Sequence, residues 1–449
     1  MSRALLQVWR RTLARRGEVR AIVETGSGRQ ATFHELDARA AAWRTQHCPS
    51  PAAWQGRAVV FSAPNGIGWL EIFLGLLQAG AVAVPLDPAE PPSAQEALAV
   101  TLRAAAWWDG ARLVSLPASR RYRDPRVCFI KLTSGTTGRP RALVFTARQL
   151  LADARQVTAT MRITARDLNY ALIPFGHSYG LGNLALPLLA LGVPVVCGAS
   201  PLPHAIAGDF ARWRPTVFPG VPVMWRALAL TAVKLRGLRL AISAGAPLPP
   251  EVAREFAARH GQRIHNLYGS SETGGISYDR SGTATLSGGV GCALRGVRVT
   301  PLRGQRLRVE SAAVTTYGKR RRRENVGRWV VPDRVVVAAR GELILLGRRG
   351  TTVKIAGRRV NLREVTARLR QLPGVTDVWT GVQAGAAALL GAAVVTDRTA
   401  AELRAALQAD TAAWKIPKRL VTLPTLPRTA RGKIDVRELR AVVFGVRTA

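Results

Sequence analysis

The run Val127-Cys128-Phe129-Ile130-Lys131-Leu132-Thr133-Ser134-Gly135-Thr136-Thr137-Gly138-Arg139-Pro140-Arg141 decides how the chain is read. Its apolar, β-prone opening at Val127–Ile130 predicts a short buried strand. Ala142 to Phe145 is apolar again, and a helical pattern begins at about Ala147. Between them lies a glycine- and hydroxyl-rich loop of the kind that suits a polyphosphate. Gly135 and Gly138 let the backbone come close and adopt positive φ, so that successive N–H groups can face one anion. Thr133, Ser134, Thr136 and Thr137 add hydroxyl donors, and Arg139 and Arg141 add charge. The loop is not a Walker A loop, because it lacks the Gly-Lys-Ser/Thr ending. A solvated turn is the common fate of such composition, so the rest of the chain has to decide.

At 449 residues the chain exceeds one ordinary core, and two or three domains are expected. A hydrophobic content of 47% is that of a globular protein. Cys48, Cys128, Cys197 and Cys292 are scattered without paired spacing, which argues against a disulfide framework or a zinc site. The net charge of +37 raises nucleic acid or a membrane surface as partners. Yet only seven of the 65 basic residues are lysine, and apart from Lys319–Arg323 the basic residues are spread along the chain. That pattern is a compositional bias rather than a patch. The arginine-rich start lacks the apolar core of a secretory signal, and its Leu5, Leu6, Val8, Trp9 and Leu13 fit one face of a docked helix. Gly68–Leu86 and Leu181–Ala199 are the longest apolar stretches; proline and a polar residue in each make them a buried helix plus strand, not membrane spans. A cytoplasmic protein is expected.

In chain order, Ala21–Val23 reads as a strand, and Thr32 with Glu35 forms a capping box that opens a helix. Ala58–Phe61, Gly66–Ala79 and Ala81–Val84 read strand, helix, strand. The alternation continues through strands at Ala171–Pro174, Val193–Cys197, Leu238–Ile242 and Arg263–Leu267, with Thr216–Pro222 leading into a helix. Such alternation means βαβ units and a mostly parallel sheet. Polar loops follow these strands at Phe175–Gly180, Ser243–Leu248 and Tyr268–Thr273, the edge where open α/β sheets bind ligands. Short alternating strands from about Gly288 to Leu346 suggest a small β subdomain, and a compact α+β module ends the chain. The division expected is 1–346 and 347–449.

Taken together, these motifs resemble the adenylate-forming superfamily: acyl- and aryl-CoA synthetases, luciferases and peptide-synthetase adenylation domains. The resemblance covers nearly the whole chain. It runs in order through Thr32–Leu36, Gln78–Leu86, the Thr133–Arg141 loop, Phe175–Gly180, Gly245-Ala246-Pro247, Tyr268–Glu272, Asp333, Gly347-Arg348, Lys354 with Gly357, and Gly432-Lys433. It implies an α/β fold: a large N-terminal domain of mostly parallel sheets with flanking helices, and a smaller mobile α+β C-terminal domain. It also implies ATP, Mg²⁺, and CoA or a carrier-protein phosphopantetheine arm as cofactors and partners. On that resemblance, Thr133, Ser134, Gly135, Thr136, Thr137, Gly138 and Arg141 would hold the outer phosphates, and Glu272 the bridging Mg²⁺. Tyr268 would stack on adenine, with Gly245, Ala246, Gly269 and Ser271 around it; Asp333 and Arg348 would take the ribose. Lys433 would bridge the acid and the α-phosphate, and His177 would pack over the acyl carboxyl. Lys354 and Gly357 would line a thiol tunnel once the last domain turns about Gly350.

Read singly, Tyr268 or His177 could be a core residue, Asp333 a turn residue, and Arg348 or Lys433 a solvated charge. Their common order favours the functional set. Three positions depart from the family pattern: Arg141 stands for lysine, Pro332 for glycine, and Gly350 for an Asp or Lys hinge. Phe175–Gly180 also lacks the aspartate that pairs with an amino acid's amine. An aryl or fatty acid is therefore the expected substrate. The rivals from other classes are a basic nucleic-acid-binding protein and a non-catalytic scaffold relative.

Overall fold

The computed structural model describes residues 3–117, 119–133, 141–315, 327–348, 352–355, 357–383, 388–427 and 434–445, with backbone alone at Arg3, Arg348 and Thr352. Helix α1 (Arg3–Arg16) buries Leu5 and Trp9 on one face, as its apolar spacing requires. Strands β1 (Arg20–Glu24) and β2 (Gln30–Thr32) pair as a hairpin and lead into helix α2 (Phe33–His47). The Thr32 Oγ1 accepts from Glu35 N at 3.1 Å, and Glu35 Oε2 accepts from Thr32 N at 2.7 Å. This is the reciprocal cap expected from the sequence.

β3 (Ala58–Phe61), helix Ile67–Gln78 and β4 (Val82–Pro85) form a parallel βαβ unit with every strand residue buried. β5 (Ala106–Trp108), β6 (Leu113–Ser115), β7 (Val127–Thr133) and β8 (Arg141–Thr146) complete a six-stranded sheet in the order β6-β5-β3-β4-β7-β8. Helix Ala147–Met161 follows, capped by Thr146 and Gln149.

The second large sheet contains β9 (Asn169–Ala171), β10 (Val195–Cys197), β11 (Val217–Gly220), β12 (Leu240–Ser243), β13 (Ile264–Ser270), β14 (Gly274–Tyr278) and β15 (Cys292–Ala293) together with the β1–β2 hairpin. Its order is β15-β14-β13-β12-β11-β9-β10-β1-β2, parallel from β13 across to β1. β9 connects to β10 on one side, and the chain then returns to β11 on the other. The order reverses at β9, and the crevice outside the carboxyl ends of the strands at such a reversal is where open α/β sheets take ligands.

Beyond this sheet, β16 (Val297–Leu302), β17 (Arg306–Ser311) and β18 (Arg328–Val331) form a small antiparallel sheet. β19 (Asp333–Val337) and β20 (Leu343–Arg348) pair beside it. The chain forms two compact units that divide between Gly347 and Arg348, with Ala89–Ala94 among short earlier pieces grouped with the second. The second unit holds the hairpin of β21 (Thr352–Ile355) and β22 (Arg358–Asn361) and a sheet of β23 (Asp377–Gln383), β24 (Leu389–Val395) and β25 (Arg419–Leu423). Helices Leu362–Gln371, Ala400–Gln408 and Val436–Phe444 accompany them, around a core that includes Val360, Leu369, Leu390 and Leu403.

The structure corrects three details of the sequence reading. β9 stops at Ala171 instead of reaching Pro174, because Asn65 takes over the next backbone groups: its Nδ2 donates to Ile173 O at 2.8 Å and its Oδ1 accepts from Phe175 N at 2.7 Å. β13 runs on to Ser270, because β14 pairs with it antiparallel over Leu267–Ser270. The helix within Leu181–Ala199 opens as a π-turn, Leu181–Ala185, before the α-helix Leu186–Leu191. π-turns of this kind recur at functional sites. All four cysteines are free thiols, three of them buried. No described helix is long and apolar enough to cross a membrane.

Candidate active site

The loop after β9 is held tightly. A Cβ on Gly180 would collide with the Pro174 carbonyl, and one on Gly176 would sit 2.9 Å from Pro85 Cβ at the carboxyl end of β4. Only glycine lets the loop fold this closely onto itself and onto the other sheet. His177, half-buried, caps the turn Ser178–Gly180: its Nδ1 accepts from Tyr179 N at 3.3 Å, which puts the proton of the neutral ring on Nε2. The Tyr179 hydroxyl lies 3.3 Å from Gly220 O and 3.2 Å from Ile242 O, at the carboxyl ends of β11 and β12. Burial pushes that phenol far above its ordinary pKa, so it stays a donor.

The next two strands bring the remaining first-unit candidates to the same edge. After β12, Gly245 adopts φ +90 beside half-buried Ala246, a conformation that favours glycine. Tyr268, near the end of β13, is 7% exposed and donates its hydroxyl to Asp333 Oδ2 at 2.8 Å. Asp333 opens β19 directly after exposed Pro332. A bulge between Tyr268 and Gly269 starts the turn into β14, where a Cβ on Gly269 would lie 2.6 Å from Gly274 O. Buried Ser271 and Glu272 sit in this turn. The Glu272 backbone is fixed from both sides: its N–H donates to Ser270 Oγ at 3.3 Å, and its carbonyl accepts from Thr315 N at 2.9 Å. Thr315 Oγ1 in turn donates to Val144 O of β8 at 2.8 Å, which ties the turn to the strand that begins at Arg141.

At the loop itself, Thr133 is buried at the end of β7 and its Oγ1 points to Arg141 O at 3.5 Å, at the start of β8. Ser134, Gly135, Thr136, Thr137, Gly138, Gly350 and Lys433 lie outside the described residues, as do the Lys319–Arg323 run and the Arg348 side chain. In the second unit, Lys354 lies on β21 opposite Arg359, and Gly357 takes φ +82 at the turn where Ile355 pairs with Arg358. The first unit thus brings His177, Gly245, Ala246, Tyr268, Gly269, Ser271, Glu272 and Asp333 to the carboxyl edge of one sheet.

No described group of three or more His, Cys, Asp or Glu residues could hold a metal. Glu272 instead is a single buried carboxylate flanked in sequence by the buried hydroxyl residues Ser270, Ser271 and Thr273. That suits a hard cation which keeps only one or two carboxylate ligands and takes the rest from phosphates and water. Sequence reasoning missed Asn65, Lys131 and Asp153. Asn65 follows Pro64 in an unremarkable loop and gave no signal. A lysine at 131, inside an otherwise apolar strand, was the visible anomaly.

Residues 99–302 match the family model for AMP-binding enzymes. Among curated proteins the chain is 30% identical over 366 residues to 2-hydroxy-7-methoxy-5-methyl-1-naphthoate–CoA ligase of Streptomyces carzinostaticus, covering 71% of this chain but 63% of that one. It is 27% identical to a feruloyl-CoA synthase of an Amycolatopsis species, covering 86% of this chain and 88% of that one. A solved double mutant of o-succinylbenzoate CoA synthetase from Bacillus subtilis superposes with a TM-score of 0.81 at 18% identity, covering 98% of each chain. At that identity the match shows a shared fold.

Proposed function

Because the chain belongs to the AMP-binding enzymes, the adenylate-forming family of its CoA-ligase relatives, we propose that it is an AMP-forming acid–thiol ligase that activates an aryl acid. In the first half-reaction a carboxylate oxygen attacks the α-phosphorus of ATP; the new O–P bond forms as the bond to pyrophosphate breaks. In the second, a thiolate attacks the acyl carbon and AMP leaves. The observation that carries this reading is the Tyr268–Asp333 hydrogen bond of 2.8 Å at the carboxyl edge of the nine-stranded sheet. An aromatic face suited to a base is thereby joined to a carboxylate suited to two ribose hydroxyls.

The reading assigns the Thr133–Arg141 loop to the departing pyrophosphate and Glu272 to Mg²⁺. When bound, that ion would neutralise phosphate charge. His177, with its proton on Nε2, can donate toward the acyl carboxyl; Gly245 and Ala246 line the nucleotide. Lys433 would carry positive charge to the α-phosphate, and the unit beginning at Arg348 would turn about Gly350 to bring Lys354 and Gly357 to a thiol. An aryl rather than an α-amino acid is supported by the missing aspartate in Phe175–Gly180 and by the naphthoate and ferulate named for the relatives. CoA is the assigned acceptor for the same reason.

ATP–pyrophosphate exchange across benzoates, cinnamates, naphthoates and fatty acids tests the proposal, with Lys433→Ala as control. Exchange with aryl acids that falls by about 10²–10³-fold in the variant is expected, as for loss of one transition-state donor. No exchange with any acid would overturn the activity; exchange with fatty acids alone would overturn the substrate. Thioester formed only on a carrier-protein arm, and not on CoA, would overturn the acceptor.

A further inference from the structure

Asp153 lies in the middle of helix Ala147–Met161, 4% exposed, and has no part in the chemistry above. Its surroundings are unusual for a buried carboxylate. Oδ1 accepts from Gly275 N at 2.9 Å, just past the turn that carries Glu272. A Cβ on Gly274 would collide with the same carboxyl, and one on Gly182 would lie 2.9 Å from Oδ2. Gly182 belongs to the π-turn that follows the His177 loop, and Gly274 opens β14 at φ +72. Two backbones have therefore closed around one side chain at glycines where a Cβ would displace its carboxylate. The third neighbour is Lys131, 4% exposed on β7, two residues before Thr133, with its ammonium 4.4 Å from the centre of the Phe145 ring. Burial pushes the Asp153 pKa up, while Lys131 and the Gly275 N–H draw it back. A buried acid on a helix interior needs some such compensation, and here all of it comes from segments that lead to the candidate active site.

The geometry points to Asp153 as a positioning residue: it pins the Ser270–Gly275 turn, and so the Glu272 carboxylate, against the strand that feeds the phosphate loop and the π-turn behind His177. This deepens the adenylation reading and rests on it. A merely structural acid would cost stability when removed and leave the active site of each folded molecule unchanged. A positioning residue changes how well the folded site takes a divalent cation with nucleotide, as outer-shell residues do by about 10–100-fold.

The test compares wild type, Asp153→Ser, which is too short to reach Gly275, and Asp153→Asn, which keeps an acceptor at Oδ1. Mn²⁺ affinity in the presence of ATP is read by electron paramagnetic resonance, alongside kcat and acid KM in pyrophosphate exchange and the folded fraction by circular dichroism. Asp153→Ser should bind Mn²⁺ about tenfold more weakly and lose kcat by a similar factor. Acid KM should hold within about twofold, since Asp153 acts on the turn and not on the acyl pocket, and Asp153→Asn should recover most of both losses. Wild-type Mn²⁺ affinity in folded Asp153→Ser, or a loss confined to the folded fraction, would overturn the assignment. A wild-type chain that exchanges with no acid overturns the adenylation reading instead, and the two failures are distinct.

Discussion

The two edges of the nine-stranded sheet use the same residue types to opposite ends. At the amino edge, Asp167 precedes β9, Thr216 precedes β11 and Arg239 precedes β12. The Asp167 carboxylate accepts from Arg239 Nε at 2.7 Å and Nη2 at 2.8 Å, from Thr216 Oγ1 at 2.9 Å and from Thr164 N at 2.8 Å. Burial alone would raise its pKa, but these donors outweigh burial and bring it below the ordinary carboxylate range. At the carboxyl edge, Glu272 sits on a turn whose backbone is held by Ser270 and Thr315, and Asp333 opens β19 and accepts from the Tyr268 phenol. The amino edge is a closed network that holds strands together. The carboxyl edge places its acids on a turn and a strand start among the candidate site residues.

Breaking the carboxyl edge should cost activity and little stability. The largest effect belongs to Glu272→Gln, with pyrophosphate exchange falling about 10²–10³-fold and the melting temperature close to wild type. Asp333→Ala removes the Tyr268 partner and, on the proposed reading, the ribose acceptor, and should raise the ATP KM about tenfold, as one charge-assisted hydrogen bond is worth about 1.5–3 kcal/mol; titration of initial rates against ATP checks it.

Breaking the amino edge should do the reverse. Asp167→Asn should lose about 1–3 kcal/mol of stability in urea unfolding while kcat stays put. A folded pKa held below the unfolded one gives stabilisation that is present above the unfolded value of about 3.9 and is lost as pH falls through the folded value. The wild type should therefore lose stability below about pH 4, and Asp167→Asn should flatten that part of the curve. Smallest of all, Arg141→Lys should change the ATP KM by less than about twofold, since either cation can meet a phosphate.

Much of this architecture was legible in the residues. β3, with four buried apolar residues, and the helix beginning at Ala147 lie where their patterns put them, and so does the capping box at Thr32 and Glu35. Local chemistry determines such elements. The order of Phe175, Gly245, Tyr268 and Asp333 along the chain also pointed to one site. What escaped was set by partners distant in sequence. Asn65 ends β9 from 108 residues away, and Asp153 meets Gly275 across 122. The extension of β13 depends on β14, which the alternation of apolar runs does not announce. The contrast between the two edges was invisible for the same reason, since Asp167 and Glu272 differ only in what folding brings to them.

The most direct test is Mg²⁺-dependent ATP–pyrophosphate exchange by Glu272→Gln and Asp167→Asn, measured with an aryl acid at a temperature where both chains are folded. The account predicts near wild-type exchange for Asp167→Asn and a loss of about 10²–10³-fold for Glu272→Gln. Equal exchange by the two variants would contradict it.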